Sequence, residues 1–155
     1  MKGLYFEDFE VGQEYISGGR TITEADLTMF SMISGDWNPI HADAEFAKKT
    51  RYGERVVHGV LGIALTTGMM HELGVFHNTA IAMLGYENWN FLVPLFVNDT
   101  VHLKMTILSK DLGKSGNSGK IGRRFQLINQ RGEVAQEGMS GVLVLTRKNA
   151  AKSPE

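Results

Sequence analysis

At 155 residues, with 43% apolar, 9% aromatic and 21% charged side chains, the chain has the make-up of one globular domain; a domain of that size buries about 70% of its unfolded surface. Sixteen basic residues against seventeen acidic ones leave a formal net charge of −1, which signals no basic face for nucleic acid. The absence of cysteine excludes disulfides, thiolate catalysis and cysteine-held metals, and fits a reducing, cytoplasmic setting.

The first fifteen residues, MKGLYFEDFEVGQEY, mix acids with aromatics and do not read as a secretory signal. Thr23 with Asp26 three residues on is an Asp variant of the capping box, so a helix should start there. Ala25, Leu27, Phe30, Met32 and Ile33 make it short and largely buried, with Met29 and Met32 as adaptable core; Gly35 should end it. Pro39 suits the first turn of a second short helix running over Ala42 to Lys48. Tyr52-Gly53-Glu54 reads as a loop.

His58-Gly59 opens a third helix of about three turns, apolar on all sides and therefore central. The apolar run Val56 to Met70 is too short for a bilayer, which needs about 20 residues. Beyond residue 79 the pattern turns extended. Val101, Leu103, Met105 and Ile107 alternate with His102, Lys104 and Thr106, the pattern of a half-buried strand. Ile81 to Leu95 is strand-like but broken near Asn88-Trp89-Asn90 and at Pro94. Phe125–Asn129 and Glu133–Gln136 suggest a hairpin about Arg131-Gly132, and Gly141 to Thr146 forms a further strand. Asp111 to Gly122, rich in glycine and serine, should be a mobile hairpin loop. The order of helices first and antiparallel strands after is an α+β arrangement. The expected organisation is a single domain over residues 1–148, with a frayed tail at 149–155.

The segment Ser34-Gly35-Asp36-Trp37-Asn38-Pro39-Ile40-His41 carries the chemistry. A carboxylate and an imidazole lie five residues apart across a turn that Pro39 stiffens, so they can converge on one water and share its proton. Asn38 can orient a neighbour. The plainer alternative is an Asx-Pro turn whose side chains bond only local backbone. His58-Gly59 adds a second feature. The first N–H groups of a helix lack partners and carry partial positive charge, suited to a carbonyl oxygen that becomes an enolate. The alternative there is a simple N-cap.

With these residues in view, Phe30 to Ala47 resembles the signature of the MaoC-like dehydratases, a family that includes the (R)-specific enoyl-CoA hydratases. That signature is an aromatic residue followed by S/T-G-D-x-N-P-x-H and a small residue. Val57-His58-Gly59-Val60-Leu61, Phe91-Leu92-Val93-Pro94 and Asn98-Asp99-Thr100 continue the similarity in the same order. Asn98 departs from it, since many members have glycine there. The resemblance implies a hot-dog fold, an antiparallel sheet wrapped around a central helix, paired in a homodimer or a higher assembly of dimers. It implies that Asp36 and His41 bind and activate water and that the Gly59 N–H holds the thioester oxygen, with Asn38, His58 and Val60 against the substrate. The reaction would be reversible hydration of a trans-2-enoyl-CoA to an (R)-3-hydroxyacyl-CoA. Coenzyme A belongs to the substrate; no metal or other cofactor, membrane or nucleic acid is implied. A hot-dog thioesterase and a non-catalytic acyl-CoA-binding subunit are the alternatives.

Two weaker signals fail on spacing. His71-Glu72 would need a second histidine at position 75, which is Val75, so a zinc-protease helix is excluded. The glycine-lysine stretch ending Gly119-Lys120 has Lys114 where a phosphate loop needs its first glycine, and Ile121 where it needs Ser or Thr. His71, His77 and His102 read as solvated or core-edge residues. Lys48, Lys49, Arg51 and Arg55 form a basic cluster that is either a solvated face or a seat for coenzyme A phosphates.

Overall fold

The computed structural model describes residues 3–152, with side chains to residue 149. A 3-10 turn at Phe6–Asp8 leads into strands β1 (Glu14–Ile16) and β2 (Arg20–Thr21). Helices α1 (Glu24–Ser34), α2 (Pro39–Ala42), α3 (Ala44–Ala47) and α4 (Gly59–Glu72) follow. Four long strands complete the sheet: β3 (Ala80–Phe91), β4 (Thr100–Leu112), β5 (Ser118–Asn129) and β6 (Val134–Leu145). A 3-10 helix, Arg147–Lys152, occupies the first part of the segment expected to fray; residues 153–155 lie outside the described residues. Among the described residues no helix is long and apolar enough to cross a membrane.

The sheet is antiparallel, in the order β1-β4-β5-β6-β3, with β2 also paired to β4. One face of it receives α4. Leu61, Leu65 and Met69 of the helix pack on Val101, Leu103, Met105, Phe125, Leu127 and Ala135. The alternation read in β4 holds: Val101, Leu103, Met105 and Ile107 are all fully buried. A second cluster joins Phe6 and Phe9 to Ile107, Ile121, Val142 and Val144 at the far end of the sheet. Among the described residues, Arg123 is a cation with no exposure. Arg123 sits between the rings of Phe76 and Phe125 and donates to the Ser140 hydroxyl. Burial pushes its pKa down to about 10, so it stays charged at neutral pH.

Several expectations are corrected. The stretch 111–122 is mostly strand, and only 113–117 forms the loop. Its glycines serve packing: a Cβ at Gly119 would strike the Phe6 ring, and one at Gly122 the Ser109 hydroxyl. β3 runs unbroken through 88–90 because Asn88 takes a left-handed φ of 51° and the register shifts between Glu87 and Asn90. β6 fuses the two extended pieces expected at 133–136 and 141–146. The second short helix is two, parted at Asp43, whose extended backbone and carboxylate cap α3. Met29 and Met32 are 59% and 68% exposed on the outer face of α1 and belong to no core cluster. The sheet covers only one face of α4, since Val60, Ala64, Thr67, Gly68 and His71 face outward. Asn98 has a φ of 74°, the backbone shape that glycine adopts most easily and asparagine tolerates.

Candidate active site

The site is assembled from the end of α1, the turn after it, α2 and the start of α4. α1 begins at the capping box expected: Thr23 Oγ1 accepts from the Asp26 N–H, and Asp26 Oδ2 accepts from the Thr23 N–H. It ends at Gly35, left-handed at φ 75°, whose N–H returns to the Ser31 carbonyl. A ladder of short-range bonds then sets each residue of the turn. Ser34 Oγ donates to the Phe30 carbonyl and accepts from the Asp36 N–H. Asp36 Oδ1 accepts from the Asn38 N–H, and Asn38 Oδ1 from the Ile40 N–H. The local bonds of the plain turn reading are therefore present. Oδ1 of Asp36 holds the turn, and Oδ2 is left to face the histidines.

His41, in the single turn of α2, has Nδ1 2.6 Å from the Val56 carbonyl oxygen. A carbonyl only accepts, so Nδ1 carries the proton and Nε2 presents a lone pair. That nitrogen lies 3.9 Å from Asp36 Oδ2, beyond direct hydrogen-bond reach. Val56 is itself tied down: its N–H donates to the Ile40 carbonyl, and the Val57 N–H donates to the Leu95 carbonyl.

α4 starts at Gly59 with no side-chain cap from His58, which leaves its first N–H groups to solvent or a ligand. A Cβ on Gly59 would lie 2.7 Å from the Phe91 ring, so the close approach that requires glycine is to Phe91. From the sheet side Gln136, 3% exposed, donates to the Gly59 carbonyl at 3.1 Å and accepts from the Trp89 indole at 3.2 Å. Gly62 makes room for that amide, which a Cβ there would strike.

A cavity of about 600 Å³ opens beside these groups, with His41, Gly59, Val60, Arg51, Tyr52 and Phe91 among its lining and residues 92–95 as an aliphatic wall. Of the residues expected at the site, His41, Gly59 and Val60 line this space; Asp36 is not among its lining, although its Oδ2 lies 3.9 Å from His41 Nε2. Asn38 and His58 do not line it. The Asn38 side chain is spent on the turn, and His58 is 2% exposed beneath His41. The basic cluster divides. Lys48 pairs with Glu45 and Arg55 with Glu24, whereas Arg51 lies over the Tyr52 ring in the cavity lining. Gln136 was not foreseen, although a polar side chain amid the apolar strand residues 134–145 was its signal.

Asp36, His41 and His58 offer three donor atoms within 4.8 Å of one another, a spacing that an ion could bridge. His58 Nε2, however, is 3.0 Å from the Asp36 carbonyl oxygen, a bond it makes only as donor, and a metal needs that nitrogen's lone pair.

The chain has relatives among known proteins. The chain is 37% identical over 106 residues to Protein MaoC of Klebsiella aerogenes, covering 68% of this chain and 31% of that protein. It is 34% identical over 107 residues to the 3-hydroxybutyryl-CoA dehydratase of Methylorubrum extorquens, covering 69% of this chain and 66% of the relative. It is 31% identical over 103 residues to an (R)-specific enoyl-CoA hydratase of Rhodospirillum rubrum, covering 66% and 69%. The chain thus spans less than two thirds of the first two of these relatives. The solved MaoC-like dehydratase of Rhodospirillum rubrum superposes with a TM-score of 0.82 at 26% identity, over 94% of this chain and 99% of that one. A Mycobacterium tuberculosis protein with a double hotdog fold matches at a TM-score of 0.79 and 18% identity, over 99% of this chain and 47% of that one. That match speaks to fold alone, and it identifies the helix-in-sheet arrangement as a hot dog. Residues 8–125, which include the whole turn from Ser34 to His41 and the start of α4, match the family described as MaoC like domain, and the chain belongs to that family.

Proposed function

We propose that the protein is a lyase that reversibly hydrates a trans-2-enoyl-CoA to an (R)-3-hydroxyacyl-CoA. The observation that carries this reading is the bare Nε2 of His41 facing Asp36 Oδ2 across 3.9 Å, on the same cavity as the uncapped start of α4. A water about 2.8 Å from each atom spans such a gap and donates one hydrogen to each. Its oxygen lone pairs then point away from both side chains, toward a β-carbon in the cavity.

In the simplest assignment Asp36 takes a proton from water while His41 orients it. The O–Cβ bond forms, and the conjugated electron pair moves onto the thioester oxygen, which the Gly59 N–H steadies. The proton taken from water returns to Cα on the same face as the enolate collapses, so one water is added overall. Neither a metal nor a redox cofactor enters the scheme. The names of the hydratase and dehydratase relatives support the substrate class. A homodimer is part of the proposal. β3 is an open sheet edge with Ile81, Met83 and Leu84 exposed, and α4 also has an uncovered face.

The test is a spectrophotometric assay with a short trans-2-enoyl-CoA. Loss of the conjugated-thioester absorbance with no free thiol is the expected result. Release of free coenzyme A would mean a thioesterase. Tight acyl-CoA binding with no reaction of any enoyl-CoA would mean a binding subunit.

A further inference from the structure

His58 takes no part in the scheme above, yet it touches several of the groups that do. It is 2% exposed and wedged between two rings: its centroid lies 3.8 Å from that of His41, stacked at 25°, and 5.0 Å from that of Phe30. Nε2 donates to the Asp36 backbone carbonyl at 3.0 Å and lies 3.3 Å from Ser31 Oγ. Nδ1 is buried without any hydrogen-bond partner, which is consistent with its being the bare nitrogen of this tautomer. In sequence His58 is the residue before Gly59, and its own carbonyl accepts from the Leu61 N–H in the first turn of α4.

Each of these contacts reaches a different part of the proposed machinery. The Nε2–H fixes the backbone of Asp36. The ring face fixes the plane of His41 from the side opposite solvent. The peptide link fixes Gly59. We infer that His58 is a positioning residue that sets the acid, the imidazole and the oxyanion-holding N–H in one register, without touching substrate. Local bonds of the turn hold Asp36 to its neighbours, and the Val56 carbonyl holds His41 in one direction. His58 connects those two local arrangements to α4. A misplacement of about 1 Å among such groups costs on the order of 100-fold in rate.

The inference rests on the hydratase reading, and its test separates the two. If the unaltered protein does not hydrate an enoyl-CoA, it is the reading that fails. Given hydration, His58→Phe keeps the ring stack and loses the donor, while His58→Gln keeps an amide N–H in reach of the Asp36 carbonyl and loses the stack. The expected result is a fall in kcat of about 10- to 100-fold for Phe with KM within about twofold, and partial recovery of kcat with Gln. Turnover within about twofold of the unaltered protein in both variants overturns the inference, as does a loss confined to KM. If either variant fails to fold, the imidazole nitrogens of the unaltered protein decide by NMR. A His58 protonated at Nε2 supports the inference, and one protonated at Nδ1 overturns it.

Discussion

The sheet face under α4 and the segment from Ser34 to His58 are held in place by opposite means. Under α4, Leu61, Leu65 and Met69 meet Val101, Leu103, Met105, Phe125 and Leu127, none more than 6% exposed. That packing is redundant, because each side chain has many neighbours and no single contact sets the geometry. From Ser34 to Ile40 the chain is exposed, and its turns rest on single polar bonds such as Ser34 Oγ to Phe30 O and Asn38 N to Asp36 Oδ1. The contrast teaches that stability is stored in one region and the proposed reaction geometry in the other. His58 is the buried bridge between them.

Damage to the core should break the first region and spare the second. Leu127→Ala empties a fully buried site on β5 and should cost about 2–5 kcal/mol of stability. Denaturant unfolding checks this, and the folded fraction should keep kcat within about twofold. A large fall in kcat at full folding would mean that the two regions are not separable.

Arg51 sharpens the comparison at the cavity lining. Unlike Lys48 and Arg55 it has no carboxylate partner among the described residues, so it is the member of the cluster best placed for a phosphate. Arg51→Ala should raise KM for an enoyl-CoA about fivefold, in line with a single solvent-exposed charge contact. KM for the matching enoyl-pantetheine, which lacks the nucleotide phosphates, should stay unchanged. An equal rise for both substrates would assign Arg51 to the acyl end.

The smallest effect concerns the ion pair that ties the start of α1 to the loop before α4. A hydrogen bond from Arg55 holds the Glu24 carboxyl below its usual range. A depressed carboxylate adds stability above its unfolded value, near about 4.3, and that stability is lost as pH falls through the lower folded value. The side chain is 56% exposed, so solvent screens the pair. Glu24→Gln should lower Tm by about 1 °C at pH 7 and leave it unchanged at pH 3. A difference that persists at pH 3 would locate the effect elsewhere.

Local rules made much of this legible from sequence. Thr23 with Asp26 marked the start of α1, Gly35 its end, and the alternation from Val101 to Ile107 the inward face of β4. The turn residues also announced the approach of Asp36 to His41, because Pro39 and Asn38 act within five residues. What stayed hidden depends on contacts between distant segments. Gly119 and Gly122 read as loop residues because Phe6 and Ser109, the groups they admit, are far away in sequence. Met29 and Met32 fit a helical stripe, but nothing local says which face of α1 meets the sheet. His58 read as the residue at a helix start. Its stack on His41, 17 positions earlier, exists only once α2 and α4 have docked.

The central claim is that Asp36 and His41 act on one water. Rates of enoyl-CoA hydration for Asp36→Asn, His41→Ala and the double variant test it most directly. Each single change should lower kcat by about 10²- to 10⁴-fold, and the double variant should be no more than about threefold slower than the worse single one. Losses that multiply in the double variant, or near-normal turnover in either single one, would contradict it.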